Sequence, residues 1–176
     1  MSQASKQVKW CIAKAKKEID ECIKQGKREK HRGLLKINEN LKSAKQHIEK
    51  AKHNLKGINY LLKGGFGDLC ISTIFYTEYH CFLAIASKFG YESSNQTCTI
   101  ALIEMLNEEK KIDIDEKYIN MLKYTDVEEK QANSLREMRE ESTYGIEITT
   151  DNTKRIKELI EDCKNLIDIT MQIIYD

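Results

Sequence analysis

Residues 75–85 read FYTEYHCFLAI and lie within a helix that the spacing of apolar side chains predicts from about Asp68 to Lys88. Asp68 is placed to cap this helix, and Gly90 is placed to end it. Apolar side chains occupy most of its circumference, and a helix of that kind is usually central in a protein core. The stretch therefore predicts a helical bundle with residues 68–88 at its centre.

Two long amphipathic helices are predicted before the central one. The first covers residues 3–25, where Gly26 provides a stop. The second covers about 29–63, and its apolar side chains alternate steps of three and four over four heptads: Leu34, Ile37, Leu41, Ala44, Ile48, Ala51, Leu55, Ile58 and Leu62. Because such a seam packs lengthwise against another helix, we expect the two to form a long basic hairpin. A self-associating coiled coil is the alternative.

Three further helices are predicted after the central one, over residues 96–109, 114–142 and 152–175. A break in the second of them is expected near Thr125-Asp126. The stretch from Tyr144 to Asn152 has the character of a loop.

The composition excludes a β-rich or loop-rich fold. The chain has 176 residues, no proline and 8 glycines, which are too few turn residues for such a fold. We therefore expect an all-α protein. An up-and-down helical bundle over residues 39–176 would be preceded by a basic N-terminal helical extension over residues 1–38.

The six cysteines are scattered along the chain, at Cys11, Cys22, Cys70, Cys81, Cys98 and Cys163. They form no CxxC pair and no Cys/His cluster at ligand spacing. Most lie on apolar helical faces, where cysteine acts as a small hydrophobe. We expect reduced, buried thiols, no metal and no cofactor, which fits a cytoplasmic protein. No stretch approaches the roughly 18 apolar residues of a membrane span, so no membrane association is expected.

The small net charge of +1 conceals two oppositely charged halves. Residues 1–63 hold 17 Lys and Arg against 6 Asp and Glu, a net of +11, whereas residues 64–176 hold 12 against 22, a net of −10. This split indicates either an anionic partner for the first half or a contact between the halves. The basic face could follow a phosphate backbone, but Trp10 is the only aromatic residue before Tyr60.

Few residues outside the helical pattern suggest chemistry. The run Gly64–Gly67 follows a helix and lacks Gly-Lys-Ser/Thr, so it is interpreted as a turn and not as a phosphate loop. His31, His47 and His53 lie among lysines and are expected at the surface. His80 lies in the aromatic helix and is expected to be a hydrogen-bonded core residue.

Residues 136–145, REMREESTYG, are the most suggestive segment, because they lie where a predicted helix leads into a loop. Arginine offers a bidentate fork for phosphate, and the tyrosine hydroxyl can donate, accept or be modified. Packing and capping roles for these side chains are the alternative.

Three segments resemble the HEPN domain family. Residues 41–55, LKSAKQHIEKAKHNL, are similar to the first HEPN helix with its repeated Ala/Leu face. Residues 75–85 resemble the family's Tyr-Tyr-Ala-x-Phe-His helix. Residues 135–145, LREMREESTYG, are similar to its closing Leu-Arg-x-x-Ala-Asp-Tyr-Gly segment, and a last amphipathic helix follows. The first 35–40 residues lie outside the resemblance.

The resemblance implies a bundle of four to five helices that commonly dimerises and works on RNA or nucleotides. Such domains often stand beside a minimal nucleotidyltransferase in toxin–antitoxin pairs. Active members are metal-independent endoribonucleases with an arginine and a histidine separated by four to six residues, in the groove between protomers. The histidine handles the 2′-hydroxyl proton while the arginine stabilises charge on the phosphorane.

This sequence departs from the family pattern at the histidine. Counted from Arg139, the histidine window holds Tyr144, Gly145 and Ile146, and tyrosine is a poor base because its ordinary pKa is about 10. The candidate catalytic residues are Arg139, Tyr144 and His80. The candidate binding residues are Arg136, Asp68 and Tyr79.

Three hypotheses follow for the function. In the first, the protein is a HEPN module that binds RNA, a nucleotide or a nucleotidyltransferase partner in a toxin–antitoxin-like or defence setting, with Tyr144 as an acceptor of nucleotidyl groups. In the second, it is an endoribonuclease in which His80 supplies the imidazole beside Arg139. In the third, it is a non-enzymatic helical interaction protein. A homodimer is expected in the first two.

Overall fold

The computed structural model describes residues 2–123, 135–145 and 153–176. Within these ranges the chain forms seven α-helices and one two-stranded sheet, which confirms the all-α helical bundle. The elements in chain order are α1 (Gln3–Lys24), β1 (Leu34–Lys36), α2 (Leu41–Lys63), α3 (Gly67–Lys88), β2 (Tyr91–Ser93), α4 (Gln96–Glu108), α5 (Glu116–Leu122), α6 (Leu135–Tyr144) and α7 (Thr153–Tyr175).

Helix α3 is the centre of the bundle, as its apolar circumference predicts. Helices α2, α4, α6 and α7 all pack against it. Its Phe75 and Phe82 are fully buried, and each such burial contributes roughly 1.5–3 kcal/mol relative to exposure. By length and composition α3 is the one helix among the described residues that could cross a membrane, but most of it is buried inside the protein. It is therefore the core helix.

Helix α2 begins at Leu41, so the predicted start near residue 29 was wrong. Asn40 caps it, because its Oδ1 accepts a hydrogen bond of 2.9 Å from the backbone N–H of Ser43. Its apolar face packs mainly on α3 and secondarily on α7, and the predicted hairpin with the first helix is not formed. The buried residues of that face are Ala44, Ile48, Ala51 and Ile58.

The segment before α2 contains strand β1, which pairs antiparallel with β2 so that Leu34 lies opposite Ser93. Leu34 and Ile37 continue the three-to-four spacing of the apolar residues of α2, and this spacing led to the prediction of a helix there. The pairing that fully buries Leu34 is made with residues distant along the chain, which local spacing does not reveal. The sheet holds the segment between α1 and α2 against the start of α4.

Helix α1 packs on α4 and β1. Ser2 caps it through a 3.2 Å hydrogen bond from the N–H of Ser5. Gly33, just before β1, lies so close to α1 that a Cβ there would be 2.4 Å from the backbone oxygen of Cys11. Only glycine allows this approach of β1 to the helix.

Cys11 and Cys98 form a disulfide that joins α1 to α4, with their Cα atoms 5.9 Å apart. The expectation of reduced thiols was wrong for this pair, because it considered spacing along the chain and not the packing of α1 on α4. The other four cysteines are free thiols, of which Cys70, Cys81 and Cys163 are buried as expected.

One helix was predicted over residues 114–142. Helix α5 lies inside that range, and α6 begins inside it and ends two residues beyond it, at Tyr144. The expected break near Thr125-Asp126 lies outside the described residues, as does most of the predicted loop. The turn predicted at Gly64–Gly67 connects α2 to α3, where Gly65 has a φ of 81° that favours glycine.

Candidate functional site

Arg139 lies on α6, where its guanidinium stacks on an aromatic ring of α3. The guanidinium carbon is 4.5 Å from the centroid of Phe75, and Nη2 is 3.7 Å from Oε1 of Glu140. The side chain is 16% exposed. A cation held on a ring face keeps its planar fork fixed, so less conformational entropy is lost when it binds an anion.

Tyr144 ends α6 and is 82% exposed. The preceding residue, Thr143, shares a 3.1 Å hydrogen bond with Ser72 of α3 through the two hydroxyl oxygens. This bond fixes the end of α6 to α3, while the phenol of Tyr144 remains open to solvent. The hydroxyl is therefore available to a ligand or a modifying enzyme.

Arg136 is part of a different environment on the same helix. Its Nε is 3.6 Å from Oε1 of Glu140. The side chain lines a cleft of about 440 Å³ together with Gln3 of α1, Glu104 of α4 and Lys123. Lys123 pairs with Glu104 there. Arg136 therefore lies towards α1 and α4, whereas Arg139 lies over Phe75.

Tyr79 is mostly buried and connects α3 to α4. Its hydroxyl shares a 3.0 Å hydrogen bond with Oγ1 of Thr99, and its ring stacks on Phe75 with centroids 6.3 Å apart. Burial raises the pKa of Tyr79, partly offset by the bond to Thr99. Tyr79 therefore packs against the same ring that Arg139 covers.

Asp68 lies in the first turn of α3 and does not cap the helix as predicted. The N-cap residue is Phe66, which makes no side-chain hydrogen bond. A carboxylate in the first turn still interacts favourably with the positive end of the helix dipole. A contact between Asp68 and Arg139 is not observed among the described residues.

His80 is half-buried, and its hydrogen-bond partner is His47 of α2. Their Nδ1 atoms are 3.0 Å apart, so one imidazole donates and the other must keep a lone pair to accept. Burial first, and then the charges of His47 and Lys50, lower the pKa of His80 to about 4, while burial also lowers that of His47. His80 is hydrogen-bonded, as expected, but at this pKa it is a weak base at neutral pH.

His80 and Arg139 contact different helices. His80 pairs with α2, whereas Arg139 covers Phe75, which is five residues earlier on α3. Five residues correspond to about 140° around a helix and about 7.5 Å along it. The structure thus places the two proposed catalytic side chains on different sides of α3 within one chain.

Two of the histidines expected at the surface are only partly exposed. His47 pairs with His80, and the side chain of His31 is only 8% exposed. His31 has Nε2 at 3.4 Å from Glu92 and Nδ1 at 3.1 Å from Ser94, which ties the segment before β1 to the turn before α4. Only His53 is exposed as expected.

Sequence reasoning missed Phe75 as the surface on which Arg139 rests, and Ser72 as the anchor of α6. Neither carries a local signal, because an apolar residue in an apolar helix is normally interpreted as core. Among the described residues, no group of three or more His, Cys, Asp and Glu side chains is placed to hold a metal ion.

A search of curated proteins finds no match to this chain. The family model described as the HEPN domain matches residues 44–174, from α2 to α7, and leaves α1 and β1 outside. Since this match covers well over half of the chain, and includes the helices that carry Phe75, Arg139 and Tyr144, the chain belongs to the HEPN domain family.

Proposed function

We propose that the RNA- or nucleotide-related role of this HEPN domain takes the form of binding by Arg139 and Tyr144, which both lie on α6. The observation that carries the proposal is the guanidinium of Arg139 held 4.5 Å above Phe75, five residues before a tyrosine that is 82% exposed. A guanidinium held in place can bind a phosphate through its N–H donors, and an exposed aromatic ring can stack on a base.

Binding is favoured over cleavage for two reasons. The histidine that active HEPN ribonucleases place after their arginine is replaced here by Tyr144. His80, the other candidate, pairs with His47 and has a pKa of about 4, so it does not supply a base poised near neutral pH. No separate observation favours the endoribonuclease hypothesis.

A second copy of the chain would complete the surface in this proposal. Leu69, Tyr76 and Tyr144 are exposed by 48%, 44% and 82%, and all lie on α3 or on α6, the helix that carries Arg139. Large apolar side chains at the surface suit an interface between protomers. The proposal thus includes a homodimer with the Arg139 site in its groove.

The proposal includes a nucleotidyltransferase partner in a toxin–antitoxin-like or defence setting. Support comes from the exposure of Tyr144, whose phenol could attack the α-phosphorus of ATP and release pyrophosphate, its proton passing to solvent. Arg139, on the same helix, would stabilise the charge of the attached phosphate.

The proposal is tested by titrating fluorescently labelled single-stranded RNA of mixed sequence and measuring anisotropy. We expect Arg139→Gln to weaken binding by about 10-fold to 100-fold, because a hydrogen bond to a charged group contributes roughly 1.5–3 kcal/mol. The RNA is expected to remain intact in the presence of wild-type protein.

Arg155→Gln on α7 is the matched control, because it removes the same charge from a residue that pairs with Glu158 at 3.3 Å. It should bind RNA as the wild type does. Equal affinities of wild type, Arg139→Gln and Arg155→Gln would contradict the proposed site, and RNA cleavage by wild type would contradict the binding-only role.

A further inference from the structure

Within residues 2–123, 135–145 and 153–176, few ion pairs join the basic first half of the chain to the second half. Among the described residues, the ion pairs that join the two halves are His31–Glu92 and Lys88–Glu39, both at 3.4 Å. The other pairs made by the first half are internal to it, such as Lys17–Glu21 and Lys52–Glu49. Of the two explanations for the charge split, an external anionic partner is therefore favoured.

On α2 much of the positive charge lies along one exposed face, which Glu49 interrupts and which we call the α2 lysine stripe. Its members are exposed and recur at steps that keep them on one helical face: Lys42, Lys45, His53, Lys56, Tyr60 and Lys63. From Lys42 to Lys63 the stripe is about 32 Å long at 1.5 Å per residue. Residue 49 is the one acidic position of α2, and its carboxylate lies 3.2 Å from Nζ of Lys52.

The stripe ends in exposed aromatic rings. Tyr60 is 78% exposed, and Phe66, just beyond the Gly64–Gly65 turn, is 54% exposed. Such rings offer faces on which bases can stack without sequence preference. Aromatic residues are few in the basic half, but Tyr60 lies near the end of α2 and Phe66 follows in the turn to α3.

The same end of the bundle carries the end of α6. The bond between Thr143 and Ser72 places Tyr144 beside the first turns of α3, which start directly after Phe66. The stripe therefore leads along α2 towards the Arg139–Tyr144 surface.

We propose that the α2 lysine stripe binds the phosphate backbone of single-stranded RNA, with Tyr60 and Phe66 stacking on bases at its end. This deepens the proposed function, on which it rests, by adding a second contact for the same strand. Charge complementarity identifies the occupant, since four exposed lysines with no acidic side chain between Lys56 and Lys63 suit a polyanion.

An anionic membrane is a poorer fit to the same charges. Interfacial helices insert an apolar face into the lipid. The apolar face of α2, including Ala44, Ile48 and Ile58, is buried in the bundle against α3. What remains exposed is mainly cationic, and a flexible polyanion can follow it without insertion.

The test compares the salt dependence of RNA binding in two variants that lose the same charge. One variant carries Lys→Gln at Lys42, Lys45, Lys56 and Lys63, and the control carries Lys→Gln at four exposed lysines of α1, namely Lys6, Lys9, Lys16 and Lys24. Single-stranded binding has a slope of about −0.7 per neutralised phosphate in a plot of log K against log salt. We expect the stripe variant to lose about 3 from the magnitude of that slope, and the control to lose almost none.

The aromatic end is tested separately with Tyr60→Ala and Tyr60→Phe. Because stacking contributes roughly 1–3 kcal/mol per base, Tyr60→Ala should weaken RNA binding by about 5-fold to 100-fold, whereas Tyr60→Phe should bind as wild type. Circular dichroism confirms that each variant is folded.

Three outcomes would overturn the stripe, and a fourth would overturn the proposed function instead. If the slope of log K against log salt decreased equally in the stripe and control variants, RNA binding would depend only on the total charge of the protein. Binding of phosphatidylserine vesicles without binding of RNA would assign the stripe to membranes. If the stripe variant binds RNA as wild type does while Arg139→Gln binds more weakly, the stripe is refuted and the proposed function stands. If the stripe variant binds more weakly while Arg139→Gln binds as wild type does, the proposed site at Arg139 is refuted and the stripe stands.

Discussion

Raising the pH from about 4.5 to about 8 should lower the free energy of unfolding through a single buried carboxyl group, that of Glu78 on α3. Glu78 is fully buried, and neither of its carboxyl oxygens has a hydrogen-bond partner among the described residues. Burial first, and then the charge of Asp162, raise its pKa from 4.5 to about 8, against the opposing charges of Lys117 and Arg155.

The sign follows from proton counting. Between pH 4.5 and pH 8 the folded protein holds the Glu78 proton and the unfolded chain does not, so unfolding releases a proton and is favoured as the pH rises. The free energy of unfolding falls by about 1.4 kcal/mol per pH unit over this range, so the total decrease above pH 8 is at most about 5 kcal/mol. This contribution is fully present below pH 4.5.

Glu78→Gln isolates this effect, because it keeps the shape and removes the charge. Urea unfolding monitored by circular dichroism should show that the variant matches wild type near pH 5 and exceeds it by several kcal/mol near pH 9. The exposed control Glu21→Gln on α1 should follow the wild-type curve. If Glu78→Gln lost stability with pH as steeply as wild type, the protonated state of Glu78 would be refuted.

Breaking the disulfide between Cys11 and Cys98 should have an effect of similar size. The bond closes a loop of 87 residues, and the chain-entropy model assigns such a loop about 4–5 kcal/mol of stability. We expect the paired substitution Cys11→Ala and Cys98→Ala to lower Tm by about 10–20 °C, since 1 kcal/mol shifts Tm by roughly 2–4 °C at this size.

Dithiothreitol provides the matched control for the disulfide. It should lower Tm in wild type but leave the doubly substituted protein unchanged, since the remaining four cysteines are free thiols. Thiol alkylation under denaturing conditions, followed by mass measurement, should label four cysteines in unreduced wild type. Labelling of all six would show that α1 is held to α4 by packing alone.

The helices that could be predicted from sequence are those with a local pattern. Residues 68–88 and 96–109 were predicted within one residue of α3 and α4, because apolar spacing and the residues at their ends identify them. The start of α2 was missed because Leu34 and Ile37 fit a helical period, although the pairing of β1 with β2 decides their structure.

The site shows the same limit. Arg139 and Tyr144 stand out in the sequence because of their spacing, but Phe75 beneath the arginine and Ser72 beneath Thr143 are brought there by the packing of α6 on α3. His80 looked like a replacement for the absent histidine, and only the position of α2 reveals its pairing with His47. The spacing of residues along the chain does not reveal which distant segments contact each other.

The most direct measurement of RNA binding at Arg139 and Tyr144 is photocrosslinking to single-stranded RNA that contains 4-thiouridine, with mass spectrometry of the crosslinked peptides. We predict crosslinks within residues 135–145 that are lost on competition with unlabelled RNA and reduced in Arg139→Gln. Crosslinks confined to other segments, with residues 135–145 unmodified under conditions where the RNA is bound, would contradict a binding site on α6.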